Sequence, residues 1–139
     1  MATMALTKIL RFSAAHRLAS PALAEAENRQ VYGQCYREHG HNYALEVTVE
    51  GRVGGDGMVM DVAALEAAMR AAVVDLVDHR DLDRDVPALA GLVTTGENLA
   101  AAFYRLLAPT LPGLSRVAVV ETENNRFECA PATTRGEDA

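Results

Sequence analysis

The chain contains four histidines, and three of them are spaced so that one metal ion could use them. His39 and His41 are separated by a single residue, and on an extended strand that spacing points both rings to one side. His16 ends an alternating segment in which Leu10, Phe12, Ala14 and His16 share a face. If that segment pairs as a hairpin with the one carrying His39-Gly40-His41, a third imidazole reaches the same point. Three imidazoles on one ion leave a fourth position open, the arrangement of catalytic rather than structural zinc. The residues alone admit a second reading, a chance His-x-His pair beside a hydrogen-bonded core histidine.

Other reactive side chains lie close by in the sequence. Cys35 stands four residues before His39. It can be a buried small hydrophobe, a fourth ligand that closes the metal site, or a thiolate whose pKa falls beside a cation. Asp78-His79 reads either as a solvated helix C-terminus, where the dipole favours an imidazolium, or as an acid–base histidine oriented by a carboxylate. Thr94 and Glu97 have capping-box spacing, which gives Glu97 a structural explanation. Glu121 ends an apolar run at Val117 and Val119; it is either a solvated strand end or a carboxylate able to grip an amidine-like pair of N–H groups.

Composition narrows the classes. At 139 residues with half its side chains apolar, the chain fits one compact domain. A chain of this size needs no structural metal to fold, so a metal here serves function. The net charge of −6 and pI near 5.1 speak against a nucleic-acid binder, which requires a basic face. No run approaches the ~18 apolar residues of a membrane span, and the first residues lack the pattern of a signal peptide. Two distant cysteines, Cys35 and Cys129, form no disulfide framework. We expect a cytoplasmic protein with reduced thiols.

The elements that must position these groups follow from periodicity. Residues 6–17 and 41–53 alternate as strands. Residues 20–32 carry a short helix within a connection. Asp61 caps a helix over about 62–77 with the stripe Val62, Leu65, Met69, Val73 and Leu76, and Glu66 and Arg70 pair one turn apart. A second main helix opens at the Thr94 capping box, directs Leu99, Phe103 and Leu106 to the core, and stops at Pro109 and Pro112. Residues 114–122 and 126–131 are strands joined at Asn124-Asn125, where asparagine tolerates positive φ. The order strand-strand-helix-helix-strand-strand predicts an α+β fold, a four-stranded antiparallel sheet with two helices on one face. Its edges call for cover, such as neighbouring subunits. The core is expected over about 6–131, with a disordered tail at 132–139.

Taken together the motifs resemble one family. Phe12-Ser-Ala-Ala-His16, Cys35-x-x-x-His39-Gly-His41-Asn-Tyr43, Gly57-Met-Val-Met-Asp61, Asp78-His79-Arg-Asp-Leu82-Asp, Asp85-Val-Pro87 and Glu121-Thr-Glu-Asn-Asn125 occur in this order in 6-pyruvoyl-tetrahydropterin synthases. The resemblance runs over about residues 9–128. It implies the tunnelling fold, in which the sheets of three subunits join into a twelve-stranded barrel and two trimers stack into a homohexamer. It also implies a zinc-dependent carbon–oxygen lyase acting on 7,8-dihydroneopterin triphosphate. By position His16, His39 and His41 resemble the zinc ligands and Cys35 the catalytic thiol. Asp78 and His79 resemble an acid–base pair supplied by a neighbouring subunit, and Glu121 the pterin-anchoring carboxylate, assisted by Thr95 and Glu97.

Two features separate branches of the family. The three-residue spacing between Cys35 and His39 is similar to that of bacterial relatives, including 6-carboxytetrahydropterin synthase of queuosine biosynthesis. Asp85-Val-Pro87 and Glu121-Thr-Glu-Asn-Asn125 look more like the pyruvoyl branch, that of tetrahydrobiopterin biosynthesis, which we place first. A branch serving folate synthesis replaces the cysteine by glutamate, so Cys35 speaks against it. A non-catalytic zinc- or pterin-binding relative would be expected to lose Cys35 or Asp78-His79, and both are present. Gly96 occupies a position where this family usually carries Thr or Ser. Arg11, Arg17 and Arg37 are triphosphate candidates by charge and proximity.

Overall fold

A computed structural model describes residues 2–132; of the tail expected at 132–139, residues 133–139 lie outside the described residues. Strand β1 (Met4–His16) pairs antiparallel with β2 (His39–Gly51) along its whole length, from Met4 opposite Gly51 to His16 opposite His39. β4 (Leu114–Thr122) lies on the other side of β2, and β5 (Asn125–Cys129) lies outside β4, both antiparallel. The alternation read from the sequence is the one observed. Leu10, Phe12, Ala14 and His16 are buried on one face of β1, and Tyr43, Leu45, Val47 and Val49 continue that face on β2.

The sheet has five strands rather than the expected four, in the order β3-β1-β2-β4-β5. The extra strand β3 (Arg80–Asp81) pairs parallel to β1, which makes the sheet mixed. Two residues are too few to carry a period, so nothing in the sequence marks them. They are held by backbone bonds from His79 N–H to the Ser13 carbonyl (2.6 Å) and from Leu82 N–H to the Ala15 carbonyl (2.8 Å).

Three helices accompany the sheet, the two main ones and the short one expected in the connection at 20–32. α1 (Glu25–Tyr32) lies in the connection after β1 and packs against a 3-10 turn at Gly33–Tyr36. Its buried Asn28 accepts from Ser20 N–H (2.8 Å) and donates to the carbonyls of Ser20 and Leu23. α2 begins at Val62–Met69 with Asp61 as N-cap, accepting from Ala63 N–H. It passes through a π-helical turn at Arg70–Val74 and ends at Asp75–Val77. The wider turn inserts a residue into the helical phase. Val74 and Val77 therefore join Leu65, Met69 and Val73 in the core, while Leu76 and Val62 of the expected stripe face out.

α3 (Gly96–Leu107) packs on β4 and β5 and buries Leu99, Phe103 and Leu107. Its N-cap is Thr95, whose hydroxyl accepts from Asn98 N–H (3.2 Å), and not Thr94. The capping-box explanation of Glu97 is therefore withdrawn. The hairpin after β4 also departs from expectation, since His79 is the sole non-glycine with positive φ among the described residues. The turn at Glu123 and Asn124 is instead braced by Asn124 N–H donating to the Thr122 hydroxyl.

The core lies between the sheet and the pair α2 and α3. Phe12 stacks on Tyr43 (4.8 Å between centroids, 12° between planes) and meets Phe103 edge-on at 6.1 Å. No helix of the described residues is long and apolar enough to cross a membrane. Phe103 is fully buried at the junction of helix and sheet. Phe103→Ala should lower stability by about 3–5 kcal/mol through lost burial and a residual cavity. Urea unfolding checks this, and a loss under about 1 kcal/mol would contradict the packing described.

Candidate metal centre

The register of β1 against β2 builds the site. His16 stands opposite His39, and Ala14 opposite His41, so the three rings emerge from one end of the buried face. Their centroids are 4.6, 5.2 and 4.9 Å apart, and one nitrogen of each lies within 4.8 Å of the others.

Backbone carbonyls decide which nitrogens are free. His16 Nδ1 is 3.0 Å from the Thr94 carbonyl, and His39 Nδ1 is 2.6 Å from the Arg37 carbonyl. A carbonyl only accepts, so in both rings Nδ1 carries the proton and Nε2 keeps its lone pair. His41 Nε2 is buried with no hydrogen-bond partner, its nearest charged neighbour being Glu121 Oε1 at 3.9 Å. A buried polar atom without a partner costs about 1–3 kcal/mol, and a cation shared by the three Nε2 atoms would satisfy it. The donor set fits a divalent metal ion of the kind that imidazoles prefer.

Electrostatics favour the neutral form of His16 and His41, as metal ligation requires. Burial, followed by the neighbouring His39 and His41, pushes His16 down to about 4, against the opposing pull of Asp83 and the Thr94 carbonyl. Burial also lowers His41, with Glu121 opposing it. Tyr43, fully buried, places its hydroxyl 3.4 Å from His16 Nε2. Burial and then the charges of Glu121 and Asp83 raise its pKa.

A supporting layer holds His16, and sequence reasoning missed it. The Thr94 hydroxyl lies 3.1 Å from His16 Nδ1 and donates to Asp83 Oδ1 (2.8 Å), while Asp83 Oδ2 accepts from Arg17 N–H (2.8 Å). Thr94 was assigned to a helix cap, and its spacing to Glu97 concealed the other use. Nearby, a hydrogen bond to Asp81 raises Glu38 to about 7.

The remaining site candidates are distributed around this centre. Cys35 is exposed on the 3-10 turn, and its carbonyl accepts from Leu18 N–H (2.7 Å), two residues beyond His16. Its sulfur is not among the clustered ligand atoms. Asp78 and His79 do touch: Asp78 Oδ1 is 3.0 Å from His79 Nδ1 and also accepts from Ser13 N–H (2.9 Å). The Ser13 N–H first, and then His79, hold the Asp78 carboxyl below its usual range. His79 has φ 59° and a side chain 83% exposed, bordering a groove with Ser13, Gly40, His41 and Asn42. Within one chain this pair does not join the histidine cluster.

Glu121 sits in a β-bulge between Val120 and Thr122, half-buried. Its Oε1 lies 3.9 Å from His41 Nε2. Thr95 caps α3, and Glu97 is exposed in its first turn. Arg37 and His39 line a common concavity of about 440 Å³. Arg17 lies over the Tyr36 ring at 4.8 Å, and Arg11 is exposed on the other face of β1.

Thr94→Val removes both hydroxyl contacts while leaving the carbonyl that fixes the His16 tautomer. It should weaken metal affinity by about 10–100-fold, the usual effect of losing such an outer contact. Competition against a chelator of known affinity reads this directly, and an unchanged affinity would remove Thr94 from the supporting layer.

Comparison with known proteins places this fold in a family. The family model for 6-pyruvoyl tetrahydropterin synthase matches residues 5–132. A 6-pyruvoyl tetrahydrobiopterin synthase from Dictyostelium discoideum is 45% identical over 125 residues, covering 88% of this chain and 93% of its own. The solved structure of 6-pyruvoyl tetrahydropterin synthase from Caenorhabditis elegans superposes with a TM-score of 0.90 at 37% identity, over 95% of this chain and 98% of that one. At lower identity, 30% over 109 residues, the chain is similar to a putative 6-carboxy-5,6,7,8-tetrahydropterin synthase from Archaeoglobus fulgidus, covering 78% of this chain and 90% of the relative. With a family match spanning nearly its whole length and a fold shared in detail, the chain belongs to the 6-pyruvoyl tetrahydropterin synthase family.

Proposed function

We propose that the chain is a zinc-dependent lyase that converts 7,8-dihydroneopterin triphosphate to 6-pyruvoyl-tetrahydropterin with elimination of triphosphate. The observation that carries this is the convergence of one ring nitrogen from each of His16, His39 and His41, with His41 Nε2 buried and without a partner, in a member of this family. His16, His39 and His41 would hold the zinc. Bound there, the ion supplies Lewis acidity toward the side-chain hydroxyls of the substrate and so acidifies the adjoining carbons.

The reaction moves protons and expels triphosphate without an external oxidant, so the protein must supply acid–base groups. Cys35 is open to solvent on a turn tied to the chain just beyond His16, a placement that lets a thiol reach substrate without ligating the metal. His79, oriented by Asp78, can serve the opposite face of the substrate. Because His79 is largely exposed and is not one of the clustered ligands of its own chain, we assign it to the site of a neighbouring subunit, in a homohexamer of two trimers with active sites at the interfaces. Glu121 would grip the guanidine-like edge of the pterin through paired, charge-assisted hydrogen bonds, with Thr95 and Glu97 at the start of α3 beside it. Arg37, which shares a concavity with His39, is the arginine we favour for the triphosphate. A cytoplasmic location fits the reduced thiol that this chemistry needs.

A second reading, the carboxy-type synthase that releases acetaldehyde and triphosphate from the same substrate, is favoured by the three residues between Cys35 and His39. Mass spectrometry after incubation with dihydroneopterin triphosphate separates the two. We expect the pyruvoyl product. Carboxy product with acetaldehyde would establish the second reading, and no turnover would point to a non-catalytic pterin-binding relative.

Two variants test the roles. His39→Ala should lose most of a zinc content of about one per chain, read by elemental analysis. Cys35→Ala should keep its zinc while turnover falls roughly 10²–10⁴-fold, the scale of a positioned proton-transfer group. Loss of zinc in the cysteine variant would instead make the thiol a ligand.

A further inference from the structure

Gly96 opens α3 and is buried. A Cβ at this position would overlap the ring of Phe127, lying 2.5 Å from Cγ and closer still to Cδ2 and Cε2. These are atoms of a stiff ring near its anchor on β5, not the far end of a flexible chain, so either the ring or the backbone must shift to admit the added carbon. Phe127 stands opposite Val119 on β4, and Glu121 follows two residues later in the bulge. The ring thus links β5, which pairs with the strand that carries Glu121, to the first turn of the helix that carries Thr95 and Glu97.

The other side of that turn is tied to the metal centre. Thr94 binds His16 through its carbonyl and hydroxyl, and Thr95 N–H and the Asn98 side chain both donate to the Val93 carbonyl. The start of α3 is therefore clamped between the histidines on one side and Phe127 on the other.

We propose that Phe127, seated on Gly96, is a positioning residue for pterin recognition that sets the gap between Glu121 and the first turn of α3. The inference rests on the pterin reading of the site. A flat bicyclic base held by Glu121 must fit between these two elements, and a Cβ at Gly96 would push them apart. The metal centre, anchored through Thr94 and the β1–β2 register, is left in place.

The test measures equilibrium binding of neopterin by fluorescence, alongside zinc content and melting temperature, in wild type, Gly96→Ala, Phe127→Leu and the double variant. Gly96→Ala should weaken neopterin binding by roughly tenfold or more, the effect expected of overpacking at a tight contact, with zinc retained. Phe127→Leu, which folds without the clash, should weaken binding by several-fold. The double variant should bind more tightly than Gly96→Ala alone, because the smaller side chain makes room for the added methyl. If the single variants bind neopterin as wild type does and lose only melting temperature, the contact is structural and the inference is overturned. A double variant no better than Gly96→Ala also overturns it. Failure of the wild type itself to bind neopterin would remove the pterin reading, and the inference with it.

Discussion

The site depends on one constraint, the register of β1 against β2. Because side chains alternate with a period of two, His16, His39 and His41 share a face only while His16 pairs with His39 and Ala14 with His41. A slip of one residue would send one strand's histidines to the opposite face. The register is secured by the core: Leu10, Phe12, Tyr43, Leu45 and Val47 all enter the same buried face, and a slip would expose one strand's set. The hydrophobic burial that folds the sheet is therefore also what assembles the ligands, and the two cannot be uncoupled by a surface change.

That coupling has a cost at the mouth of the core. Three imidazoles are drawn close together in a half-dry setting, which lowers the pKa of His16 to about 4 and leaves His41 Nε2 unpartnered. A structure selected for stability alone would place an apolar side chain there, since native folds depart from local consistency mainly at functional sites. The carbonyls of Thr94 and Arg37 turn the cost to use by fixing two tautomers with Nε2 inward. Asp83, exposed itself, extends this support through the Thr94 hydroxyl and the Arg17 backbone.

Much of this was legible in the sequence, for identifiable reasons. Two long strands of period two put the histidines together, and helical spacing marks both the Asp61 cap and the Glu66–Arg70 pair. What escaped has no local signal. Arg80 and Asp81 form too short a strand to show a period. The π turn at Arg70–Val74 shifted the buried stripe by a residue. Thr94 and Thr95 are adjacent residues of one type, and only tertiary context assigns one to His16 and the other to the helix cap. Whether Asp78 touches His79 depended on the left-handed backbone of His79, which neighbouring residues do not announce. The bulge at Glu121 is equally invisible, because it is a property of how β4 pairs with β5.

The central claim, that three histidine nitrogens and no sulfur form the metal centre, is open to direct measurement by X-ray absorption at the zinc edge of the loaded protein. The account predicts nitrogen or oxygen scatterers at about 2.0–2.1 Å, with the multiple-scattering pattern of three imidazoles and one further light ligand. A sulfur shell near 2.3 Å would contradict it, since Cys35 would then close the site.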